Sequence, residues 1–395
     1  MANMLIAHGG APTAVLNASL YGAVCEAKRS GCVEHIYGAI YGSAGILNEN
    51  FVDLNTVDQE ELEKLLVTPG SAIGTSRTHL EQEDYKRMAD ILKKYDIRYV
   101  LFTGGNGSMD TCGKLKAACE GMDIFIAGIP KTIDNDIAVV DHAPGYGSAA
   151  NFIVQCVSEI AQDVRSLPIH VCIVETMGRN AGWIAAASAL ARRHKGDAPD
   201  LICLPEVPFQ EELFLSRVKR LHEEKGGVVV VVSEGLKRAD GSTVAPPLFE
   251  EGRARYDGDV GTYLARLVIK KLGIKARSEK PGIWGRACTQ TQSACDSDEA
   301  VRMGAFAARA VLGGKSGVMA GLIRTSTVPY CCQETLIPIE QVMLEERLLP
   351  SEFIAKDGFD VTPAFCEWYR PLLGEKPAEY ADFRGSISVK GGKMH

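Results

Sequence analysis

The chain has 395 residues, enough for about two or three domains, and its composition (46% hydrophobic, 24% charged) is that of a globular protein with large cores. A net charge of −7 argues against nucleic acid or an anionic membrane as the main partner. No segment approaches the ~20 apolar residues of a membrane span. The N-terminal residues do not match a signal peptide, and the 12 cysteines lack metal-ligand spacing. We therefore expect a cytoplasmic protein with reduced thiols.

Predicted strands and helices alternate along the chain, because short apolar runs that end at glycine or polar residues are followed by amphipathic stretches. Strands are expected at 4–7, 35–41, 97–103, 124–129, 170–176, 201–204, 227–233, 276–278 and 319–325. Helices are expected at 14–28, 58–66, 80–94, 109–120, 149–164, 184–193, 210–224, 261–271, 298–312, 340–347 and 363–371. We predict a surface excursion at 240–258, a turn at 281–286 and fraying over the last ten residues. This alternation predicts mostly parallel sheets that helices cover on both faces.

Two glycine-rich turns follow predicted strands in the first third of the chain. Residues 8–10 (His-Gly-Gly) end the first strand, and residues 104–108 (Gly-Gly-Asn-Gly-Ser) follow the strand at 97–103. A strand, a glycine turn and a helix together place backbone N–H groups and a helix N-terminus at an anion. Tight packing alone also explains a Gly-Gly turn such as the first. The second turn is the stronger candidate, because it has a third glycine together with polar Asn and Ser side chains.

The segment 130–136 (Pro-Lys-Thr-Ile-Asp-Asn-Asp) follows the buried strand predicted at 124–129. Proline has no N–H for a ladder and is expected to stop that strand. In open α/β sheets, ligands bind past the carboxyl ends of the strands. A carboxylate there could accept a proton from an attacking hydroxyl, and the lysine could neutralise a phosphate. Taken alone, the segment could equally be a solvated acidic turn.

Several arginines lie in predicted turns. Arg77 lies in a polar loop, Arg179 follows the strand at 170–176, and Arg286 lies in the turn at 281–286. Each is either a solvated surface residue or a bidentate clamp for phosphate. Because candidate site residues fall both before and after about residue 140, we predict two α/β domains that face one cleft.

Taken together, these blocks resemble the phosphofructokinase family. The resemblance is carried by residues 9–10 with Pro12 and Asn17, by 104–108, by 132–136 (Thr-Ile-Asp-Asn-Asp) and by 177–179 (Met-Gly-Arg), and it extends from residue 1 to about 325. It implies two doubly wound, mostly parallel-sheet α/β domains with the active site in the cleft between them. It also implies a donor-binding domain of residues 1–143 plus about 284–335. A sugar-phosphate-binding domain would comprise 144–283 plus part of the C-terminal segment, and 336–395 would be a helical segment.

The resemblance implies transfer of a phosphoryl group to the 1-hydroxyl of fructose 6-phosphate with Mg²⁺. Asp134 would be the general base, and Arg179 would stabilise the transferring phosphoryl group. The catalytic set implied is Asp134, Lys131, Arg179 and Thr132. The donor-binding set is Gly10, Arg77, Gly105, Gly107 and Ser108. The sugar-phosphate set is Thr132, Asp134, Met177, Gly178, Arg179, Glu234, Arg277, Ile283 and Arg286. The metal set is Asn106 and Asp136.

The phosphoryl donor is left open by two positions. Lys131 is typical of pyrophosphate-using members, whereas the ATP-using bacterial members typically have glycine there. A lysine supplies charge to a small anionic donor that brings no adenosine. However, pyrophosphate-using members usually have aspartate at position 107, and this chain has glycine. We favour pyrophosphate and keep ATP as the alternative. Asn106 also departs from the aspartate of many members, which makes it a weaker ligand for Mg²⁺.

The resemblance also implies a homodimer or homotetramer, since members often complete the sugar-phosphate site with a basic residue of a neighbouring subunit. His170 occupies such a position, where arginine is common. A non-catalytic sugar-phosphate sensor remains a remote alternative, although a sensor does not need Asp134. A dinucleotide-dependent oxidoreductase is disfavoured, because neither glycine turn forms G-x-G-x-x-G with an acidic residue about 20 positions later.

Overall fold

The computed structural model of the protein describes residues 2–251, 254–256, 258–343, 345–374 and 376–382. Its strands are β1 (Ala2–His8), β2 (Val33–Ala39), β3 (Phe51–Asp53), β4 (Ile97–Gly104), β5 (Phe125–Pro130), β6 (His170–Thr176), β7 (Leu201–Cys203), β8 (Val228–Ser233), β9 (Phe249–Glu251), β10 (Ala254–Tyr256), β11 (Lys275–Glu279), β12 (Val318–Thr327) and β13 (Tyr330–Pro338).

The helices are α1 (Leu16–Ser30), α2 (Gly42–Leu47), α3 (Gln59–Glu63), α4 (Gln82–Lys94), α5 (Asn106–Ala118), α6 (Tyr146–Ser166), α7 (Trp183–Ala187), α8 (Glu211–Lys225), α9 (Val260–Leu272), α10 (Ile283–Ala287), α11 (Ala294–Leu312) and α12 (Pro363–Tyr369). Short 3₁₀ turns lie at Leu54–Thr56, Lys64–Leu66, Ser188–Ala191, Ile339–Gln341 and Ser351–Phe353. None of the helices in the described part of the chain is long and apolar enough to cross a membrane.

A seven-stranded sheet in the order β13-β12-β5-β4-β1-β2-β3 forms the first layer. Its five inner strands run parallel, and only the edge strands β3 and β13 are antiparallel to their neighbours. Apolar residues of β1 alternate between two cores: one contains α1 and α11, and the other contains α4 and α5. The two helical layers explain why these strands are apolar on both faces.

The second sheet has four parallel strands in the order β11-β6-β8-β7. The valine run of β8 is completely buried, with one face packed on α6 and α7 and the other on α8 and α9. Both sheets are therefore doubly wound, and the predicted α/β fold class is confirmed. After this sheet the chain returns through α11 to add β12 and β13 to the first sheet.

The C-terminal part of the chain differs from the prediction. The prediction of a helix at 340–347 is wrong, because the only helical turn among the described residues there is the 3₁₀ turn Ile339–Gln341. The strand β13 and the short edge strand β3 were not predicted, and α10 forms inside the expected turn at 281–286. The excursion at 240–258 contains the hairpin of β9 and β10. The expected fraying of the last ten residues lies outside the described residues.

Aromatic residues of the C-terminal segment extend the core of the second sheet. Trp368 lies 5.0 Å from Trp183 between ring centroids, and Phe353 packs edge-on against Phe365 at 5.6 Å. Because α7 begins at Trp183, the C-terminal segment is fixed close to the carboxyl end of β6. This contact brings residues that are distant in sequence to the candidate site.

Candidate active site

Lys131 is the first residue after β5, and its side chain is almost completely buried. Its ammonium group donates to the carbonyl oxygens of Gly9, at 3.0 Å, and of Ala11. Its backbone N–H donates to the carbonyl oxygen of Gly104 at 3.0 Å. One lysine therefore joins the turns that follow β1, β4 and β5, all at the carboxyl edge of the first sheet.

The two aspartates of the same turn are held by short hydrogen bonds. The Thr132 hydroxyl donates to Asp136 Oδ1 at 3.0 Å, and its oxygen accepts from the backbone N–H of Asp134 at 3.1 Å. Asn135 has a φ of 53° and accepts from the Ala143 N–H at 3.1 Å. This left-handed residue separates the two aspartates, of which Asp136 accepts from Asn106 Nδ2.

Burial and like charges shift the pKa values of the lysine and of one aspartate toward each other. Burial, then Asp136 and Glu234, raise the pKa of Asp134 to about 7. Burial, then Arg77 and Arg286, lower the pKa of Lys131 to about 8. A carboxyl group and an ammonium group with such pKa values each gain or lose a proton near neutral pH, which is the condition for general acid–base catalysis.

The second sheet contributes residues from the ends of β6 and β8. Gly178 has a φ of 118° and its N–H donates to Glu234 Oε1 at 3.3 Å. Arg179 is exposed, and its charge acts on both Asp134 and Glu234. Met177 lines a crevice together with Ile133 of the central turn. The structure thus brings the predicted Met-Gly-Arg block and Glu234 to the central turn from the opposite sheet.

The predicted donor-binding residues lie at the ends of β1 and β4. Gly105 precedes α5, which begins at Asn106, three residues earlier than predicted. The Ser108 hydroxyl lies 2.3 Å from where a Cβ of Gly9 would be, so Ser108 packs between the two glycine turns. A Cβ at Gly10 would meet the Lys131 ammonium at 3.5 Å, and one at Gly107 would meet open space.

The basic residues divide into two groups. Arg77 and Arg286 act electrostatically on Lys131 and on each other, and Arg286 also acts on Asp134. Arg286 Nε is buried and has no hydrogen-bond partner among the described residues. Arg277 instead lines a cavity of about 480 Å³ with His170, and burial, then Arg277, lower the pKa of that histidine. The structure therefore places Arg286 at the central cluster and Arg277 beside it on β11.

Ile283 begins α10 and is 67% exposed, next to the exposed Trp284, whose ring packs on Phe152 at 5.2 Å. The backbone of this short helix brings Arg286 toward Lys131. Ile283 itself presents an apolar side chain to solvent in the single chain.

Asp136 and Asn106 offer oxygen atoms suitable for a divalent cation. Asn106 Nδ2 donates to Asp136 Oδ2 at 3.1 Å, while Asn106 Oδ1 is buried and finds no partner within the described residues. A buried amide oxygen without a partner costs free energy unless a ligand satisfies it. Carboxylate and amide oxygens are ligands of hard cations such as Mg²⁺, so Asn106 and Asp136 fit the predicted metal.

Sequence reasoning missed a contribution from the C-terminal segment. Glu346 forms an antiparallel bridge with Ile137, and the Arg347 N–H donates to the Asp136 carbonyl oxygen at 2.8 Å. Both residues fall in the range that was predicted as a helix. No local pattern would have identified them, because only long-range contacts bring this segment to the central turn.

The geometry agrees with the comparisons to known proteins. A sequence model of the family described as "Phosphofructokinase" matches residues 3–311. The chain belongs to the phosphofructokinase family. The resemblance of the four motif blocks is therefore confirmed as a family relation.

Relatives cover almost the whole chain. A pyrophosphate--fructose 6-phosphate 1-phosphotransferase of Rhodospirillum rubrum is 37% identical over 94% of both chains. A sulfofructose kinase of Alkalicoccus urumqiensis is 32% identical over 97% of this chain and 99% of its own. The crystal structure of a pyrophosphate-dependent phosphofructokinase from Marinobacter aquaeolei superposes with a TM-score of 0.87 and 31% identity, covering 97% of this chain and 94% of the other.

The charges at the site predict a narrow pH optimum. Asp134 must be deprotonated to act as a base, so kcat/KM should rise as pH increases through about 7. Lys131 must be protonated to neutralise a phosphate, so kcat/KM should fall as pH increases through about 8. Glu234→Gln removes a charge that raises the pKa of Asp134, so its acid limb should move to lower pH. Profiles of kcat/KM against pH test this, and an acid limb that stays in place in Glu234→Gln would contradict it.

Proposed function

We propose that this protein is a pyrophosphate-dependent 6-phosphofructokinase, which converts fructose 6-phosphate and pyrophosphate into fructose 1,6-bisphosphate and phosphate. The observation that carries the proposal is the cluster of Lys131, Arg77 and Arg286 beside Asp134, a carboxyl group whose pKa is raised. Cations that form no ion pair among the described residues, next to a base, suit a phosphate-rich donor and a hydroxyl acceptor. The names of several relatives support the same activity.

The roles follow from the positions of the side chains. Asp134 takes the proton of the 1-hydroxyl group of fructose 6-phosphate while the oxygen of that hydroxyl attacks the terminal phosphorus of the donor. The bond from this phosphorus to the bridging oxygen breaks, and phosphate leaves. Lys131 and Arg179 neutralise the charge on the transferring group. Thr132 holds both aspartates in place. We assign Gly10, Arg77, Gly105, Gly107 and Ser108 to the donor, and Met177, Gly178, Glu234, Arg277, Ile283 and Arg286 to the sugar phosphate.

Further parts of the proposal concern the metal, the assembly and the domains. Asn106 and Asp136 would hold Mg²⁺, which when bound neutralises donor phosphates. The first sheet with its helices would bind the donor, and the second would bind the sugar phosphate. We propose a homodimer or homotetramer in which His170 approaches a neighbouring site, and a cytoplasmic location.

Pyrophosphate is favoured over ATP by the relatives and by Lys131. The lysine is buried against the turn after β1, where its ammonium group donates to the carbonyl oxygens of Gly9 and Ala11. Such a position suits a compact anion that carries all of its binding energy in its charge. Gly107, at the start of α5, leaves open space beside it, so the ATP alternative is testable in this chain.

A coupled assay with fructose 6-phosphate, Mg²⁺ and either donor, run in both directions, tests the proposal. The wild type should turn over pyrophosphate reversibly. Asp134→Ala should lose roughly 100- to 10,000-fold in kcat, while fructose 6-phosphate binding by calorimetry is retained, because the base acts in the chemical step. The assay also includes sulfofructose as an alternative acceptor, since one relative is named a sulfofructose kinase. Near-wild-type turnover by Asp134→Ala would refute its role, and binding without turnover in the wild type would indicate a sensor.

A substitution at Gly107 tests donor selection. Gly107→Asp should abolish any turnover with ATP and spare turnover with pyrophosphate, because the new carboxylate would occupy the space of the ATP α-phosphate. The backbone accepts the side chain, since nothing lies within 4 Å of its Cβ position. Gly107→Ala is the matched control, which adds the Cβ without the charge. Kinetics with both donors decide the matter, and ATP turnover that is unchanged in Gly107→Asp would sink the assignment.

A further inference from the structure

The segment from Glu346 to Leu349, called the strap here, connects the two sheets across the candidate site. At one end its backbone bonds to the turn after β5, through Arg347 N–H and the Asp136 carbonyl oxygen at 2.8 Å. At the other end the Leu349 N–H donates to Glu206 Oε1 at 2.9 Å, which also accepts from Gly182 N–H at 2.9 Å. The strap therefore holds the Asp134–Asp136 turn against the loop that follows β6.

Arg347 anchors the strap in the aromatic core. Its guanidinium group lies 4.3 Å from the centroid of the Trp183 ring and donates to the Asp141 carbonyl oxygen. The Trp183 indole N–H donates in turn to the Arg347 carbonyl oxygen at 3.3 Å. A residue whose cation stacks on an aromatic ring and donates a hydrogen bond, and whose carbonyl oxygen accepts another, has few alternative positions, so the backbone next to Glu346 is fixed.

The Glu346 carboxylate reaches the residue next to Arg179. Asn180 Nδ2 donates to both oxygens of Glu346, at 3.1 and 3.0 Å. Asn180 Oδ1 accepts from the Lys237 ammonium group at 3.4 Å, so the amide is held from both sides. Because Asn180 directly follows Arg179, this contact restricts the loop that carries the arginine.

We propose that Glu346 is a positioning residue, which fixes Arg179 through Asn180 relative to the Asp134–Asp136 turn. This inference rests on the proposed function for its consequence in catalysis. Arg179 is exposed and must be aimed at a charge that develops during the reaction, so a mobile loop would lose much of its effect. The strap supplies the missing connection, because Glu346 bonds to the arginine loop while its backbone bonds to the aspartate turn.

The test compares Glu346→Ala with Glu345→Ala, the preceding glutamate, whose side chain is exposed like that of Glu346. Glu346→Ala should lower kcat roughly 10- to 100-fold and change the KM of fructose 6-phosphate less than about twofold, because Arg179 acts in the transition state. Glu346→Gln retains an acceptor for Asn180 and should recover most of the loss. Asn180→Ala should cause a similar loss and add little in the double variant, because both remove one contact.

Amide hydrogen exchange of residues 177–181 provides a readout that does not depend on turnover. Exchange there should be faster in Glu346→Ala than in the wild type and unchanged in Glu345→Ala. Unchanged exchange, or additive losses of kcat in the double variant, would overturn the inference. If the wild type lacked turnover but exchange still responded to Glu346→Ala, the proposed function would fail while the positioning contact stood.

Discussion

The buried ammonium group of Lys131 is the interaction on which the site depends. Lys131 directly follows β5, and its ammonium group bonds to carbonyl oxygens in the turn after β1. The lysine therefore fixes the turns after β1 and β5 relative to each other. Burying a cation costs free energy unless partners compensate it. Here the compensation is partial, since two carbonyl groups and nearby carboxylates face two more cations, Arg77 and Arg286. Under the proposed function, the phosphate groups of the donor would balance these positive charges.

The division between two sheets gives each side a different task. The first sheet contributes the buried cation Lys131 and the aspartate turn, in which Thr132 is buried and bonds to Asp136. The second contributes Arg179, which is exposed and held through its neighbours. Under the proposed function, Arg179 would meet the charge of the transferring group from the second sheet. Its alignment then depends on contacts that cross between the sheets, such as those of the strap.

Much of this arrangement was predictable, because the carboxyl ends of parallel strands concentrate ligand-binding residues. The strand at 170–176 was predicted with the bounds that the structure has, since a β-branched run between turn residues leaves few alternatives. The aspartate turn and Arg179 were candidates because of their places after such strands, whereas Glu234 was a candidate only through the family resemblance. The local sequence was a correct guide wherever one element determines where its own end lies.

The prediction failed where distant contacts decide the conformation. Residues 340–347 have the composition of a helix, yet Glu346 pairs with Ile137, and Arg347 bonds to Asp136 and stacks on Trp183, so Glu346 and Arg347 are not helical. Tertiary contacts override helix propensity of that size, which is a few tenths of a kcal/mol per residue. The positions of Arg277 and Arg286 were also beyond the sequence, because their separation depends on where β11 and α10 lie.

The most direct measurement of the central claim is pyrophosphate turnover by Lys131→Met. Methionine fills a similar volume without charge but leaves the carbonyl oxygens of Gly9 and Ala11 without their donor, so the variant should remain folded with a lower thermal stability than the wild type. If the buried ammonium group neutralises the donor, kcat with pyrophosphate should fall by roughly 100-fold or more, while fructose 6-phosphate still binds. Turnover within about twofold of the wild type would show that the charge of Lys131 is not what the site is built upon.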